Sequence, residues 1–195
     1  MILRVRFKKE DILCDKNFLN IRDQKKTEIF KIKKKRRVPL GPYAVFYFEC
    51  YETLWWQIQE MLRIEKGGRE QLDDEITAYE PLLPKGSDLV ATLMIEIPDP
   101  QERKIILQNL GHIDRYVSFH FDPYTVKGTS ADTLARTDTT GKTSAVHFLR
   151  FSFNAEEKKA FKEASEVTLS ITHKNYTHTT HIAPEILDTL RSDLI

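Results

Sequence analysis

Five short runs of β-branched and aromatic residues place the strongest limit on the fold of this 195-residue chain. They occupy residues 43–48, 89–97, 116–121, 144–153 and 167–173. Runs of this length and composition predict strands, and segments with helical periodicity separate them. The sequence therefore predicts an α+β fold, with a mixed or antiparallel sheet of about five strands packed against helices.

Helical patterns fill most of the remaining chain. Helices are predicted over residues 52–66, 70–79, 99–110, 155–164 and 184–194. Residues 1–37 are predicted to form a charged helical segment, and residues 123–143, which are mostly Ser, Thr, Asp, Gly and Lys, a mobile surface loop. The length is that of one core, so we expect residues 1–195 to form a single domain.

The charge balance limits the partners of the chain. Thirty basic and 29 acidic residues give a net charge of +1, which provides no global attraction to nucleic acid or to an anionic membrane. The longest strongly apolar run, residues 43–48, is far shorter than the roughly 20 residues of a membrane-spanning helix. Cys14 and Cys50 form no C-x-x-C pair and are too few for a disulfide framework. With an N-terminus that lacks an apolar leader, these features predict a cytoplasmic protein.

Four long segments resemble one family. They are RRVPLGPYAVFYFE (36–49), QIQEMLRIEKGGREQLDDEITAYEPLLP (57–84), LVATLMIEIPDPQER (89–103) and SAVHFLRF (144–151). They are similar to the bacterial family catalogued as domain of unknown function 3501, and the resemblance covers nearly the whole chain. It implies no cofactor or catalytic residue. It does imply a genomic association with rubrerythrin-like and iron–sulfur redox proteins, and hence a redox or iron–sulfur protein as a partner.

Histidines late in the chain are the first candidates for a site. Strand alternation places His147 and His173 on the apolar faces of their strands, toward the core. Two converging imidazoles would bind a metal or form an acid–base pair, whereas separate ones would be core histidines with ordinary hydrogen-bond partners. His178 and His181 complete a weaker candidate set for a metal, because their spacing from His173 matches no strong zinc pattern.

Glu65 is a second candidate. A helical wheel for residues 52–66 places it in the same direction as Ile58 and Leu62, where a carboxylate needs a partner. The expected partners are His147, His173, Arg69 and Arg150. The opposite face of the same helix carries Trp56 among charged residues, which predicts either a central helix covered on both sides or a partner-binding surface.

Several glutamates are typical of carboxylate-rich di-iron sites, but the Glu-x-x-His pair of those sites does not occur on the two helices concerned. These glutamates are Glu49, Glu60, Glu65, Glu75 and Glu96. The family resemblance, with weak support from Trp56 and the polar loop, implies an accessory or ligand- or partner-binding protein of redox or stress metabolism. The alternative is a metal-dependent or acid–base enzyme that uses Glu65, His147 and His173.

The basic run over residues 31–37 is predicted to be a solvated approach to a strand and not a nucleic-acid site. The protein should therefore show no salt-sensitive, micromolar binding to duplex or single-stranded nucleic acid in a filter-binding assay. Such binding, if it disappeared when Lys33, Lys34 and Lys35 were replaced by Gln, would overturn this interpretation.

Overall fold

An eight-stranded antiparallel sheet organises the fold. The computed structural model describes residues 4–195, apart from the side chains of residues 68–70. The strands are β1 (Arg37–Leu40), β2 (Ala44–Phe48), β3 (Asp88–Ile95), β4 (Val117–Phe121), β5 (Tyr124–Ser130), β6 (Val146–Ser152), β7 (Thr168–His173) and β8 (Tyr176–His181). Their order across the sheet is β1-β2-β3-β6-β5-β4-β7-β8, so the first and last strands of the chain are its two edges.

The sheet curls until these two edges almost meet, which gives a nearly closed barrel. The Tyr176 hydroxyl joins them: it donates to the carbonyl oxygen of Leu40 at 2.7 Å and accepts from the backbone N–H groups of Tyr43 and Ala44 at 3.0 and 2.9 Å. Gly41 lies in the same turn with φ of 69°, and a Cβ there would lie 2.6 Å from the His178 ring. The edges therefore approach too closely for a larger residue at this turn.

Aromatic side chains fill the barrel. The interior holds a cluster in which Phe119 stacks on Phe48 and meets Phe151 and Phe161 edge-on, with ring centroids 4.7 to 5.7 Å apart. All four rings are at most 1% exposed. Offset and edge-on ring pairs are the favourable geometries for aromatic packing, so the interior is a packed core.

Helices cover the ends and one outer face of the barrel. They are α1 (Asp15–Lys34), α2 (Tyr51–Glu65), α3 (Gly68–Tyr79), α4 (Pro100–Asn109), α5 (Ala155–Glu163) and α6 (Pro184–Asp193). The side chains of α4 join the core near one end of the barrel through Leu107, while those of α5 and α6 join it through Phe161, Leu187 and Leu190. No helix in residues 4–195 is long and apolar enough to cross a membrane.

Helix α2 is a central helix, because both of its faces are covered. Leu54 and Ile58 pack with Val90 of β3 on the outer face of the sheet. On the opposite side, Trp56 packs edge-on against Phe18 of α1 at 5.6 Å. The expectation that this helix is covered on both sides is confirmed, and α1 supplies the second cover.

The predicted strand number is wrong: the five predicted strands correspond to β2, β3, β4, β6 and β7, and three more are present. β1 has only four residues and contains a proline, and Tyr176 is the only buried residue of the polar strand β8. β5 begins the segment that we predicted to be a loop, and Val126 and Gly128 are buried while their neighbours are exposed. Their outward faces are polar, so a prediction based on apolar runs missed these strands.

The N-terminal prediction also needs correction. The helix there spans Asp15–Lys34 and not residues 1–37, and residues 1–3 lie outside the described part of the chain. The basic run divides between its last turn and β1. Arg36, at the junction, is buried and forms a bidentate ion pair with Asp193 of α6, at 2.6 and 2.9 Å.

Replacing Arg36 by Met should reduce the free energy of unfolding by about 3 kcal/mol or more, because it leaves the Asp193 carboxylate buried without a cation. Urea denaturation measures this. The double variant Arg36→Met, Asp193→Leu should regain most of the loss, since no charge is then left unpaired. The neighbouring Arg37→Met is the control and should cost less than about 1 kcal/mol, because Arg37 is exposed. An Arg36→Met protein as stable as the wild type would contradict the assignment.

Candidate functional site

His147 is a buried histidine whose proton position is fixed by the backbone. Its Nε2 lies 2.9 Å from the Ser144 carbonyl oxygen, so Nε2 carries the proton and donates it there. The other nitrogen, Nδ1, has no hydrogen-bond partner among the described residues and lies 3.8 Å from Oδ1 of Asp114. Burial lowers the pKa of His147, and the Asp114 carboxylate opposes this shift. The imidazole is therefore held neutral.

His173 is also buried, but it contacts different residues from those around His147. Its ring packs edge-on against Tyr116 at 5.1 Å, and its Nδ1 accepts the backbone N–H of Asn175 at 3.2 Å. Burial lowers the pKa of His173. Both histidines are core-facing as expected, but each has separate partners, and no hydrogen bond joins them.

His178 and His181 lie on opposite faces of β8, because side chains alternate along a strand. His178 is half-buried and packs edge-on against Tyr176 at 4.5 Å, while His181 is exposed and lies 2.7 Å from the Glu166 carboxylate. Within residues 4–195, no group of three or more His, Cys, Asp and Glu side chains is placed to hold a metal ion. The four candidate metal ligands are thus distributed over several places.

The expectation that Glu65 is buried is wrong. Its side chain is exposed, and its Oε2 accepts a hydrogen bond from Nε2 of Gln71 at 2.7 Å. The last turn of α2 contains no buried residue, so the helix extends beyond the layer against which Leu54 and Ile58 pack. A helical wheel gives the direction of a side chain but not the extent of the surface beneath it.

The partners expected for Glu65 are elsewhere. His147 and His173 have the contacts given above, and Arg150 forms an ion pair with Asp88. The side chain of Arg69 lies outside the described residues. These positions do not support a site that unites Glu65 with the buried histidines.

A histidine that the sequence analysis passed over, His120, joins a group of hydroxyl side chains on the outer face of β4. Its Nε2 lies 2.9 Å from the Ser118 hydroxyl and 2.7 Å from the Ser170 hydroxyl, and its Nδ1 lies 3.1 Å from the Thr125 hydroxyl. Ser118 and Ser170 are directly opposite each other on β4 and β7, as are His120 and Thr125 on β4 and β5. The group is therefore a set of cross-strand pairs that links three strands.

A cleft of about 410 Å³ lies between the outer face of β2, β3 and β6 and the helices that cover it. We call it the helix–sheet cleft. Strand residues in its wall are Tyr47, Phe48, Thr92, Met94, Val146 and Phe148. Helical residues are Lys33, Thr53, Leu54, Gln57 and Tyr79, and the lining is completed by Arg36, Glu49 and Leu82. Tyr47, Thr92 and Phe148 form one row across the sheet, because Thr92 pairs with both of the others.

Glu49 is the carboxylate of this cleft and is held at both oxygens. Oε1 accepts the Thr92 hydroxyl at 2.6 Å, and Oε2 accepts the Thr53 hydroxyl at 2.5 Å. Thr53 is itself fixed, because its Oγ1 accepts the backbone N–H of Cys50 at 3.0 Å at the start of α2. The positive end of the helix dipole favours negative charge here. Each carboxylate oxygen still has a lone pair for a further donor.

The cleft has an acidic and a basic side. On the α3 side, burial raises the pKa of Tyr79, and the carboxylates of Glu75, Glu49 and Glu65 raise it further against a hydrogen bond from Gln57. Tyr79 therefore remains a hydroxyl donor. On the α1 side lie Lys33 and Arg36, at the negative end of the α1 dipole.

The pH dependence of stability tests the state assigned to His147. Because its pKa is lowered in the folded protein, the unfolded chain binds the proton first, and the contribution of neutral His147 to stability is lost as the pH falls below about 6.5. His147→Gln keeps a donor for Ser144 but removes this titration. The difference between wild type and variant in free energy of unfolding should therefore shrink from about pH 7.5 to about pH 5.5.

The buried substitution Leu149→Ala on the same strand is the control, since it removes no titrating group, and its destabilisation should not change over this range. A His147→Gln difference that is constant with pH would show that the imidazole is not held neutral.

Comparison with known proteins agrees with the resemblance of the long segments. No curated protein matches the chain. A crystal structure of a novel protein of unknown function from Burkholderia pseudomallei K96243 is similar, with 33% sequence identity, a TM-score of 0.90, and coverage of 97% of this chain and 99% of that chain. Residues 6–194 match the family described as protein of unknown function, DUF3501. The chain belongs to the DUF3501 family.

Proposed function

We propose that the protein binds a small organic ligand in the helix–sheet cleft, with the Glu49 carboxylate as its polar anchor. The observation that supports this most directly is the state of Glu49. Two threonine hydroxyls orient its oxygens, yet none of the ion pairs among the described residues includes it. Hydroxyl donors hold a carboxylate in one orientation but leave its charge in place.

Two other carboxylates with little exposure, Glu60 and Asp193, are neutralised by arginine. Glu60 lies 2.8 Å from Nε of Arg22, whose hydrogen bonds lower the pKa of Glu60 to about 2. Asp193 has its bidentate pair with Arg36. Removing a carboxylate from water without a cation is unfavourable. Glu49 has no such cation among the described residues, and it lines the cleft with both oxygens held by hydroxyl groups, which supports a role toward a group from outside the chain.

The walls of the cleft suit a small molecule. A volume of about 410 Å³ is within the usual range for such sites, which are mostly apolar with a few polar groups. Met94, Val146 and Phe148 form an apolar wall toward β6, and Glu49, Tyr79 and Gln57 provide the polar groups. A ligand with one apolar side and one polar group would contact both.

An accessory role in redox or stress metabolism, with a redox or iron–sulfur partner, stays a prediction from the family resemblance. Ligand binding is compatible with it but does not depend on it. The enzyme alternative based on Glu65, His147 and His173 also stays a prediction, and the separate positions of these residues do not favour it.

Methionine methyl NMR tests the proposal, because Met94 is in the wall of the cleft and Met61 of α2 is not. A protein labelled with ¹³C at the methionine methyl groups should be titrated with a fragment library of amines, carboxylic acids and neutral rings. Saturable shifts of the Met94 signal, with the Met61 signal unchanged, are the expected result. Met94→Leu assigns the signal.

A filled cleft provides the control. Thr92→Phe should abolish the Met94 response, while Thr129→Phe, an exposed position on β5 outside the cleft, should leave it unchanged. Melting temperatures of both variants close to that of the wild type would show that the fold is intact. A library that produces no saturable Met94 shift, or shifts that survive in Thr92→Phe, would refute ligand binding in this cleft.

A further inference from the structure

Glu49 and Lys33 provide charges of opposite sign in the helix–sheet cleft, and no ion pair among the described residues includes either of them. We infer that its ligand is a zwitterion of the amino-acid type, with its ammonium group on Glu49, its carboxylate on Lys33 and an apolar side chain against Met94, Val146 and Phe148. This inference rests on the proposed function, because it names the class of ligand for the same cleft.

Glu49 specifies the ammonium group. Each of its oxygens already accepts one hydroxyl donor. Each oxygen keeps a lone pair for a second donor, and the negative charge of the carboxylate is not balanced by these hydroxyl groups. A ligand carboxylate or phosphate would be repelled here, and Glu75 on α3 adds to the negative potential at this side of the cleft. An ammonium group provides both the donors and the opposite charge, and charge-assisted hydrogen bonds of this kind are the strong ones.

Lys33 specifies the carboxylate. The other cation in the lining, Arg36, directs two guanidinium nitrogens to Asp193, so its charge is already balanced. Lys33 is half-buried, and none of the ion pairs among the described residues includes it. It projects from the last turn of α1, on a different element from Glu49. The two unpaired charges therefore reach the cleft from separate walls.

The apolar wall specifies the third part of the ligand. Met94 and Val146 are directly opposite each other on β3 and β6, and Phe148 is the next outward residue along β6. Together they form an apolar surface in the wall of the cleft. An α-amino acid has this arrangement: two opposite charges on one carbon and an apolar branch from it.

Binding of a ligand with one charge would leave the other charge of the cleft unpaired. Each charged hydrogen bond typically changes affinity by about tenfold or more. The zwitterion should therefore bind about tenfold or more tightly than the amine or the acid with the same side chain, and both of these should bind more tightly than the neutral alcohol.

Two matched series test this through the Met94 methyl signal. The first is L-phenylalanine, phenethylamine, 3-phenylpropionate and 2-phenylethanol, and the second is L-leucine, isoamylamine, 4-methylpentanoate and 3-methylbutan-1-ol. In at least one series the amino acid should have the lowest dissociation constant. Glu49→Gln should weaken the amino acid and the amine but not the acid, and Lys33→Gln should weaken the amino acid and the acid but not the amine.

Matched controls remove the same charges at exposed positions outside the cleft lining: Glu163→Gln and Lys34→Gln should leave all affinities unchanged. If the amine binds as tightly as the amino acid in both series, or if neither series moves the Met94 signal, the zwitterion inference is wrong. The fragment titration decides separately whether the cleft binds ligands, so the two failures can be distinguished.

Discussion

The aromatic packing inside the barrel is the constraint on which the rest of the structure depends. Phe48, Phe119, Phe151 and Phe161 occupy the space that a wider barrel would leave for a ligand. An eight-stranded barrel is just wide enough for side chains to fill it, so a choice exists between a packed core and an internal site. Here the core takes the interior, so the ligand site that we propose lies on the outer face of the sheet.

The second layer of the fold creates that outside site. Helix α2 is anchored to the sheet by Leu54 and Ile58 and to α1 by Trp56. Gln59 anchors it to the segment before α1, because its amide side chain bonds both backbone groups of Leu13, at 2.7 and 3.2 Å. Because α2 is anchored on both faces, it lies across the outer face of the sheet but packs against only part of that face. The space left beneath it, next to the start of α2, is the helix–sheet cleft.

Much of the fold follows from sequence pattern, but the site does not. Apolar runs located the five strands with two buried or half-buried faces, whereas β8 was missed because its outward positions are Thr and His and its buried residue is a single Tyr176. Glu65 was misplaced because helical periodicity cannot tell where the sheet beneath a helix stops. Glu49 was noticed as one of several glutamates, but the two threonines that hold it come from α2 and β3, and only the tertiary structure brings them together.

The tyrosine that joins the two edges of the sheet also sets an order for folding. Tyr176 bonds the backbone of Tyr43 across 133 residues, and closing so long a loop is entropically costly. The strands that form the cleft wall are also far apart in sequence. The wall is complete only when β3 has paired with β6. Contacts this distant in sequence slow folding and are made after local ones. On the ribosome, therefore, the cleft is complete only once most of the chain has emerged, and the ligand that we propose would bind finished molecules and not nascent ones.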